Sequence, residues 1–565
     1  MEAGAALPGL LWSRFDLRPD GRAAAAPPAP AAYGNKVLDV IAAAIDSGYY
    51  RRVAGLGPQD DPVRHYAESG ARQGLPPNTW FDTRWYLDSY PDIAASGMNP
   101  LYHYVAFGKA EGRAPRRPGG LARRMVEQAS IPAHRLPGYD APADAPRIDA
   151  ISLAHHLAAA CAGRAAFVLS VSHDCYVNVT GGMQVLIGDE QARFNDQGET
   201  YLHLAPAIAR LTFAPEMADS PFAGLLQVVL DGRFLGLTTV TAVSAALEAL
   251  GRRLPARRRF VVHSVFGHRS EDLAALHAAL QAGEAFFWLH DYSALCEGFN
   301  LLRNDVAYCH APPAESTACR VCVYGARRQR WLAGLARLFE AVPFHVLAPG
   351  RAALDLFLAR SALPFLSARV QENAALVALD DAASPHADDP VRVGFLGFAM
   401  PQKGWAAFQR LVAQNAGRSA YRFHHFAIPA AHTDMTGLEN VAVQVTPGDR
   451  MAAVRALRAA RIDLLLVLSP WPETFSFVVH EAFAAGADVV ALADGGNVAD
   501  AVRRHRRGVV LADEAALQRF FAEGWALDYA RQRALAPAGA LAMVPGGATA
   551  GVEIAAPLGS AWAAA

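Results

Sequence analysis

The chain reads as two doubly wound α/β domains preceded by a small, mostly helical repeat module. Three observations predict this. From about residue 149 onward, short apolar runs alternate with helical patterns, the mark of parallel strands joined by crossover helices. The alternation is broken once, by the apolar-poor stretch 380–390, which carries Pro385, Pro390 and paired aspartates and reads as an interdomain hinge. Ahead of both lies an internal repeat within residues 37–115.

The repeat has an aromatic skeleton. Its first copy holds Asp46, Tyr49-Tyr50, His65-Tyr66, Gly70, Gly74 and Pro77, and its second Asp82, Trp85-Tyr86, His103-Tyr104, Gly108, Gly112 and Pro115. The offset is 36 from Tyr50 to Tyr86 and 38 from Gly70 to Gly108. Each copy is too small to fold robustly alone, so the two are expected to pack together with their aromatic residues as core. A docking or glycan-binding role is the functional alternative.

The expected divisions follow. Residues 1–32, rich in Ala, Pro and Gly, read as a disordered lead-in. Residues 33–118 are the repeat module and 119–148 a Pro-, Arg- and Ala-rich linker. Residues 149–385 form the first Rossmann-like domain, with strands at 167–172, 226–230, 260–265, 286–290 and 344–348. Residues 386–533 form the second, with strands at 391–398, 421–427, 441–445, 464–468, 489–493 and 509–511. Residues 534–565 lack a periodic pattern and read as a flexible tail.

Composition narrows the function. At 565 residues, 52% hydrophobic and 19% charged, the chain has a globular balance. A net charge of -1 leaves no global footprint for nucleic acid. The runs Arg257-Arg258-Arg259 and Arg503-Arg504-His505-Arg506-Arg507 read as solvated faces. No stretch is apolar over the roughly 20 residues a bilayer needs. With acidic Glu2 and no basic region, the N-terminus is a poor signal peptide, so the expected location is cytoplasmic.

The sharpest signal is the run from Ser469 through Pro470, Pro472, Glu473, Thr474, Phe475, Ser476 and Glu481 to Gly486. A buried strand enters a Pro-bounded loop, and a helix is expected to start near Thr474 and stop at Gly486. In a parallel sheet this loop lies at the carboxyl end of its strand, where ligands bind. The backbone N–H groups of Thr474, Phe475 and Ser476 are expected to face a phosphate. At the helical rise, Glu481 lies about 10–12 Å beyond Glu473, close to the reach from a sugar to a ribose across a diphosphate. Two glutamates eight apart are weak evidence alone, but Glu481 sits among Val478, Val479, Ala482 and Phe483, where a carboxylate without a partner is costly. Upstream, Gly397 ends a strand and Lys403-Gly404 ends the following loop. A lysine there can stabilise a leaving diphosphate.

These residues resemble the donor site of the retaining GT-B glycosyltransferases of the large bacterial group-1 type. The resemblance rests on Glu473-x7-Glu481, on Gly397-x5-Lys403-Gly404, and on Gly486-x-x-Val489-Val490-Ala491 followed by Gly495-Gly496-Asn497. It covers roughly residues 165–525 and is strongest over 391–500. It implies a nucleotide-diphosphate sugar donor, of UDP or GDP type, and transfer to a glycan or lipid-linked acceptor with retention of configuration, without a catalytic cofactor, in cell-surface polysaccharide synthesis. A lipid-linked acceptor would bring the chain to the inner membrane face. The family usually has Arg where this chain has Phe398, and Gly where it has Ser476. In the first domain the resemblance points to Gly181-Gly182, opening a helix after Ser172-His173-Asp174, and to His290, at the end of an apolar strand, as a contact to the donor sugar. Glu473, Lys403 and His290 are thus the catalytic candidates, and Gly181, Gly182, Gly397, Thr474, Phe475, Ser476 and Glu481 the donor-binding ones. A non-catalytic scaffold or glycan-binding protein on a degenerate GT-B fold, and a GT-B sugar-nucleotide epimerase, are the alternatives.

Four of the six cysteines, Cys296, Cys309, Cys319 and Cys322, follow the His290 strand. A C-x2-C plus two further cysteines is compatible with tetrahedral structural zinc, with free thiols or with a redox pair.

Overall fold

The computed structural model describes residues 33–78, 80–116, 141, 144–178, 181–208, 224–382, 390–433, 435–446, 448–536, 539–546 and 548–552. The lead-in and most of the linker lie outside the described residues. The chain divides near residue 123 into two compact units.

The first unit is the repeat. Each copy begins with an aspartate capping a short helix: Asp46 accepts from the Tyr49 N–H at 2.9 Å and Asp82 from the Trp85 N–H at 3.1 Å. The cap residues are also tied down through their own N–H groups, Asp46 to the carbonyl of Pro77 at 3.1 Å and Asp82 to that of Pro115 at 3.0 Å. The ring pairs repeat as well, with Tyr50 on His65 at 3.0 Å and Tyr86 on His103 at 2.9 Å. A side chain at Gly70 or Gly108 would run into those tyrosine hydroxyls. Tyr50, Tyr66, Phe81 and Tyr86 are buried in one shared core, joined by a 2.8 Å bond from Tyr66 to Thr83 of the second copy. The aromatics are therefore core, as one small shared interior requires.

The second unit carries two sheets. In chain order the first has β1 (Ala166–Val171), β2 (Glu199–Pro206), β3 (Leu225–Leu230), β4 (Arg233–Thr239), β5 (Arg257–Val262) and β6 (Glu284–Trp288). A short hairpin, β7 (Leu302–Arg303) and β8 (Ala307–Tyr308), precedes β9 (Phe344–Ala348) and β10 (Ser367–Val370). The sheet order is β10-β9-β6-β5-β1-β2-β3-β4, parallel from β10 to β2 and antiparallel at β3 and β4. Alternate residues of β1 feed opposite faces. Phe167, Leu169 and Val171 pack with the helices Ala150–Cys161 and Val240–Leu250, and Val168 with the helix Gly182–Asp196.

After β11 (Ala374–Ala382) the second sheet comprises β12 (Val391–Leu396), β13 (Tyr421–Ala427), β14 (Leu438–Ala442), β15 (Leu464–Val467), β16 (Asp488–Leu492) and β17 (Gly508–Leu511), all parallel, in the order β14-β13-β12-β15-β16-β17. The order reverses between β12 and β15, and in the first sheet between β1 and β5, so each domain has a crevice at those carboxyl ends. Among the described residues no helix is long and apolar enough to cross a membrane.

Three expectations are corrected. The hinge stretch begins as strand, since β11 runs to Ala382; residues 383–389 lie outside the described residues. The tail is structured where described: β18 (Gly539–Pro545) pairs antiparallel with β11, and Leu376 and Leu541 cover the core around Val479 and Phe483. Its Ala- and Gly-rich sequence hides this because one ladder and two apolar residues suffice to dock it. Nor are the basic runs wholly solvated. Arg259 is buried against Glu199 at 2.6 Å and Glu284 at 2.9 Å, and Arg507 against Asp488 at 2.9 Å, which Tyr529 also contacts at 2.6 Å.

After β18 the chain returns to the first domain. The Thr549 N–H donates to Glu190 at 2.8 Å and its hydroxyl accepts from the Trp288 indole at 2.8 Å. A chain truncated after residue 536 loses the ladder and a donor to a buried carboxylate, a loss on the order of 3 kcal/mol. Its melting temperature is expected to fall by several degrees in calorimetry; an unchanged transition would mean that the returning segment contributes nothing to stability.

Candidate functional site

Lys403 and Glu473 come from the loops after β12 and β15, the two strands at the switch point, and they meet there. Lys403 Nζ donates to Glu473 Oε1 at 2.7 Å. Glu473 is buried, also accepts from the Ser469 hydroxyl, and has its backbone carbonyl on the N–H of Asn497 at 2.9 Å. The lysine side chain is 48% exposed, so the ammonium has donors left for a ligand. The two loops are further tied by the Trp471 indole, which donates to the Gln402 carbonyl at 3.0 Å. Gly404 has φ +79 and lies so close to β15's exit that a Cβ would be 2.1 Å from the Leu468 carbonyl oxygen, so no other residue fits. Gly397, at φ +118, borders open space, and its carbonyl accepts from His425 at 2.8 Å. Phe398 beside it is 52% exposed.

The helix expected from Thr474 begins three residues later, at Phe477, and ends at Ala485 with Gly486 left-handed as its stop. Glu473 and Thr474 are held in other contacts, the Glu473–Gly496 bridge and a 2.6 Å bond from the Thr474 hydroxyl to the His290 carbonyl, and so cannot join the helix. The free helix N–H groups therefore belong to the turn after Ser476, which forms no side-chain cap, rather than to Thr474 and Phe475. The helical rise counts only from Phe477, so the spacing of Glu473 and Glu481 does not follow from it. Phe475 stacks on His480 at 4.7 Å and frames this turn.

Glu481 lies in the buried face of that helix. Burial pushes its carboxyl up to about 7, against a partial opposing pull from Arg450. Arg450 reaches across to the first domain, pairing with Asp189 at 3.1 Å. The Phe477 ring lies 3.6 Å from where a Cβ on Gly182 would stand. The N-terminus of the helix Gly182–Asp196 thus lies close to the first residue of Phe477–Ala485, and a helix N-terminus favours an anion. Gly181 has extended backbone at φ -166 and Gly182 has ordinary van der Waals room, so neither is needed for its φ, but a Cβ on Gly181 would stand 2.4 Å from Gln184 Oε1. The turn before them is held by Asp174, whose two oxygens accept from Gln184 at 2.7 and 2.8 Å; Thr180 lies outside the described residues.

His290, at the exit of β6, joins the same cleft through Thr474. The neighbouring Asp291 accepts from the Ser293 N–H at 2.8 Å. His290 stacks on Trp288 at 4.8 Å, and its Nε2 contacts His263 Nδ1 at 3.0 Å. His263 Nε2 in turn meets Glu190 Oε1 at 3.1 Å. Sequence reasoning missed Glu190, His263, Arg450 and Thr549. His263 had a visible signal, the same polar strand end that marks His290. Glu190, within a polar helix segment, had none.

Among the described residues several buried polar atoms have no partner, and three lie at these loops: His173 Nδ1, Tyr292 Oη and Asn497 Oδ1. Buried polar groups are nearly always satisfied, so these suit a ligand. The cysteines are different. All six are free thiols, and among the described residues no group of three His, Cys, Asp or Glu side chains is placed to hold a metal. Of the readings left open for Cys296, Cys309, Cys319 and Cys322, the described residues show the free thiols. Cys296 is buried in the core, while the Cys319 thiol accepts from Arg328 at 3.2 Å.

The raised Glu481 carboxyl has a consequence for stability. Its folded value, about 7, exceeds the ordinary 4.5, so its contribution is fully present below pH 4.5 and is lost as pH rises through 7. Glu481→Gln removes that loss. The melting temperature of the variant relative to wild type, without nucleotide, is expected to be higher at pH 8 than at pH 5. An equal difference at both pH values would place an ionised Glu481 in the free protein.

No protein-family model matches the chain, and no curated protein matches it. Solved structures do. A sucrose-phosphate synthase from Thermosynechococcus elongatus is 14% identical, with a TM-score of 0.40, covering 65% of this chain and 91% of its own. Anabaena HepE in complex with UDP is 14% identical, with a TM-score of 0.36, over 65% and 94%. A trehalose 6-phosphate synthase from Burkholderia multivorans is 12% identical, with a TM-score of 0.36, over 66% and 91%.

Proposed function

We propose that the chain is a retaining glycosyltransferase that moves a sugar from a nucleotide-diphosphate donor, of UDP or GDP type, to a glycan or lipid-linked acceptor in cell-surface polysaccharide synthesis. The observation that carries this reading is the Lys403–Glu473 contact at the switch point of the second sheet, beside two neighbouring helix N-termini. The diphosphate lies between those N-termini, where the N–H groups of both helices and the Lys403 ammonium meet its charge. Glu473, held by Ser469 and Lys403, accepts from sugar hydroxyls. Glu481 accepts from the ribose hydroxyls, which supply the donors it lacks in the free protein. The departing diphosphate helps take the acceptor proton as the hydroxyl attacks from the same face, and Lys403 offsets the charge that develops. No metal enters these steps.

One observation favours a second reading. The exposed Phe398 stands where a phosphate-binding arginine is usual, which suits a scaffold or glycan-binding protein on a degenerate site.

A melting-temperature panel of UDP-, GDP-, ADP- and dTDP-sugars separates the two. A ligand at about 100 times its dissociation constant stabilises by roughly 2.7 kcal/mol. One nucleotide class is expected to shift the transition, and Glu481→Ala to abolish the shift. No shift with any member supports the degenerate reading. With the donor identified, Glu473→Ala and Lys403→Ala are each expected to lower turnover by about a hundredfold or more; losses within about threefold would remove both residues from these roles.

A further inference from the structure

We propose that Cys319 and Cys322 are a redox-active dithiol: Cys319 attacks a peroxide, Cys322 resolves the product, and a disulfide closes across the turn between them. The glycosyltransferase reading is not needed for this. A redox pair in its reduced form is a pair of free thiols, and both cysteines are free.

The turn supplies the geometry. The Cys322 N–H donates to the Cys319 carbonyl at 3.1 Å. Such a bond across four residues keeps the outer Cα atoms within about 7 Å, and disulfides span about 4.4–6.8 Å between Cα atoms. The turn is held in place by its surroundings. Buried Asn304 donates to the Val321 carbonyl at 2.9 Å and accepts from the Val323 N–H at 2.8 Å. The helix Gly325–Ala341 starts so close behind that a Cβ on Gly325 would run into the Cys319 carbonyl oxygen. The tip is open: Val321, between the cysteines, is 63% exposed, so a small oxidant and a reductant have access.

Charge assigns the roles. Arg328 is buried, and its Nη1 donates to Cys319 Sγ at 3.2 Å. A guanidinium offers only donors, so the sulfur accepts here whatever its own proton does. A fixed cation is what an attacking sulfur needs, because the reacting species is the thiolate. The Pro313 carbonyl lies further from the sulfur, at 4.0 Å. The two neighbouring cysteines suit attack less well: burial pushes the Cys296 thiol up to about 12, and that of Cys309 up as well. Arg328 also holds the carbonyls of Leu295 at 3.0 Å and Pro312 at 2.6 Å, so the dithiol shares its anchor with the loop that follows His290. In the reaction the Cys319 sulfur attacks one peroxide oxygen, the O–O bond breaks, and the leaving oxygen takes the thiol proton. The Cys322 sulfur then attacks the sulfenic acid so formed. The S–O bond breaks, the S–S bond forms, and the hydroxide leaves with the Cys322 proton as water. Two electrons pass from the thiols to one peroxide.

The probe is stoichiometric hydrogen peroxide at neutral pH, on the full chain without nucleotide. Remaining thiols are alkylated, and trypsin, cutting after Arg303, Arg320 and Arg327, separates residues 304–320 from 321–327 for mass spectrometry. The two peptides are expected to be joined by a disulfide that dithiothreitol reverses, in wild type and in Cys309→Ser but not in Cys319→Ser. In Cys322→Ser, where resolution is lost, dimedone is expected to trap a sulfenic acid on Cys319, whereas in Cys319→Ser it is expected to leave Cys322 unlabelled. Adding Arg328→Gln to Cys322→Ser is expected to slow the trapping about tenfold. A disulfide from Cys309, a bond between two chains on a non-reducing gel, dimedone on Cys322, or an unchanged rate without the cation overturns the proposal. So does full alkylation of both thiols after peroxide, or zinc held on these cysteines. Should the Arg328→Gln chain fail to fold, the serine variants at the partly exposed cysteines still decide. None of these measurements needs a sugar donor, so failure of the nucleotide panel leaves them interpretable.

Discussion

Glu190 is an anion in the interior of the first domain, and an anion there must be surrounded by donors. Those donors come from places far apart in the chain: Tyr201 in β2, His263 at the exit of β5, and Thr549 after β18. Satisfying one carboxylate thus fixes the relation of two strands of the central sheet to each other and to the returning segment after β18. It also reaches the cleft, because His263 passes the constraint to His290, whose carbonyl receives the Thr474 hydroxyl from the second domain. A buried polar network of this kind is stable only when complete.

The second domain shows a different economy of charge. Glu473 has its partners in place, whereas Glu481 is buried with only the distant pull of Arg450. The first is organised without ligand. The second lacks such partners, and burial pushes its carboxyl up to about 7. Arg450 stands between Glu481 and Asp189 of the first domain, so the charge state of one helix is coupled to the opposing wall of the cleft.

Most of the parallel strands were legible because a strand covered on both faces must be an apolar run, as in 464–468 or 344–348. The aromatic repeat was legible because both copies use the same cap, ring pair and glycine. What escaped was structure carried by few or ambiguous residues. β2, with Glu199, Thr200 and His203 in its run, does not look apolar although every position is buried. β18 is mostly small residues. The helix after β15 was placed three residues early because the local pattern cannot show that Thr474 is held by His290. The cysteine spacing left metal, free thiols and a redox pair open, because spacing alone does not show which side chains surround a thiol, such as Arg328 beside Cys319. In the site itself, Glu473, Lys403, Glu481 and His290 could be named from motif and flanks. Glu190 could not, because a glutamate in a polar helix segment carries no mark of the atoms that will surround it.

The position of Thr549 bears on how the molecule is made. Strands and helices of the first domain leave the ribosome hundreds of residues before it, and domains generally fold as units during synthesis. The sheet that carries His290 can therefore assemble early, but with the Glu190 carboxylate one donor short and the Trp288 indole unanchored. Only when the chain has passed through the entire second domain does the missing N–H arrive. Maturation of the cleft thus waits on synthesis of the second domain, and a nascent chain cannot hold its strand-end histidine in final form while the domain meant to oppose it is still being made.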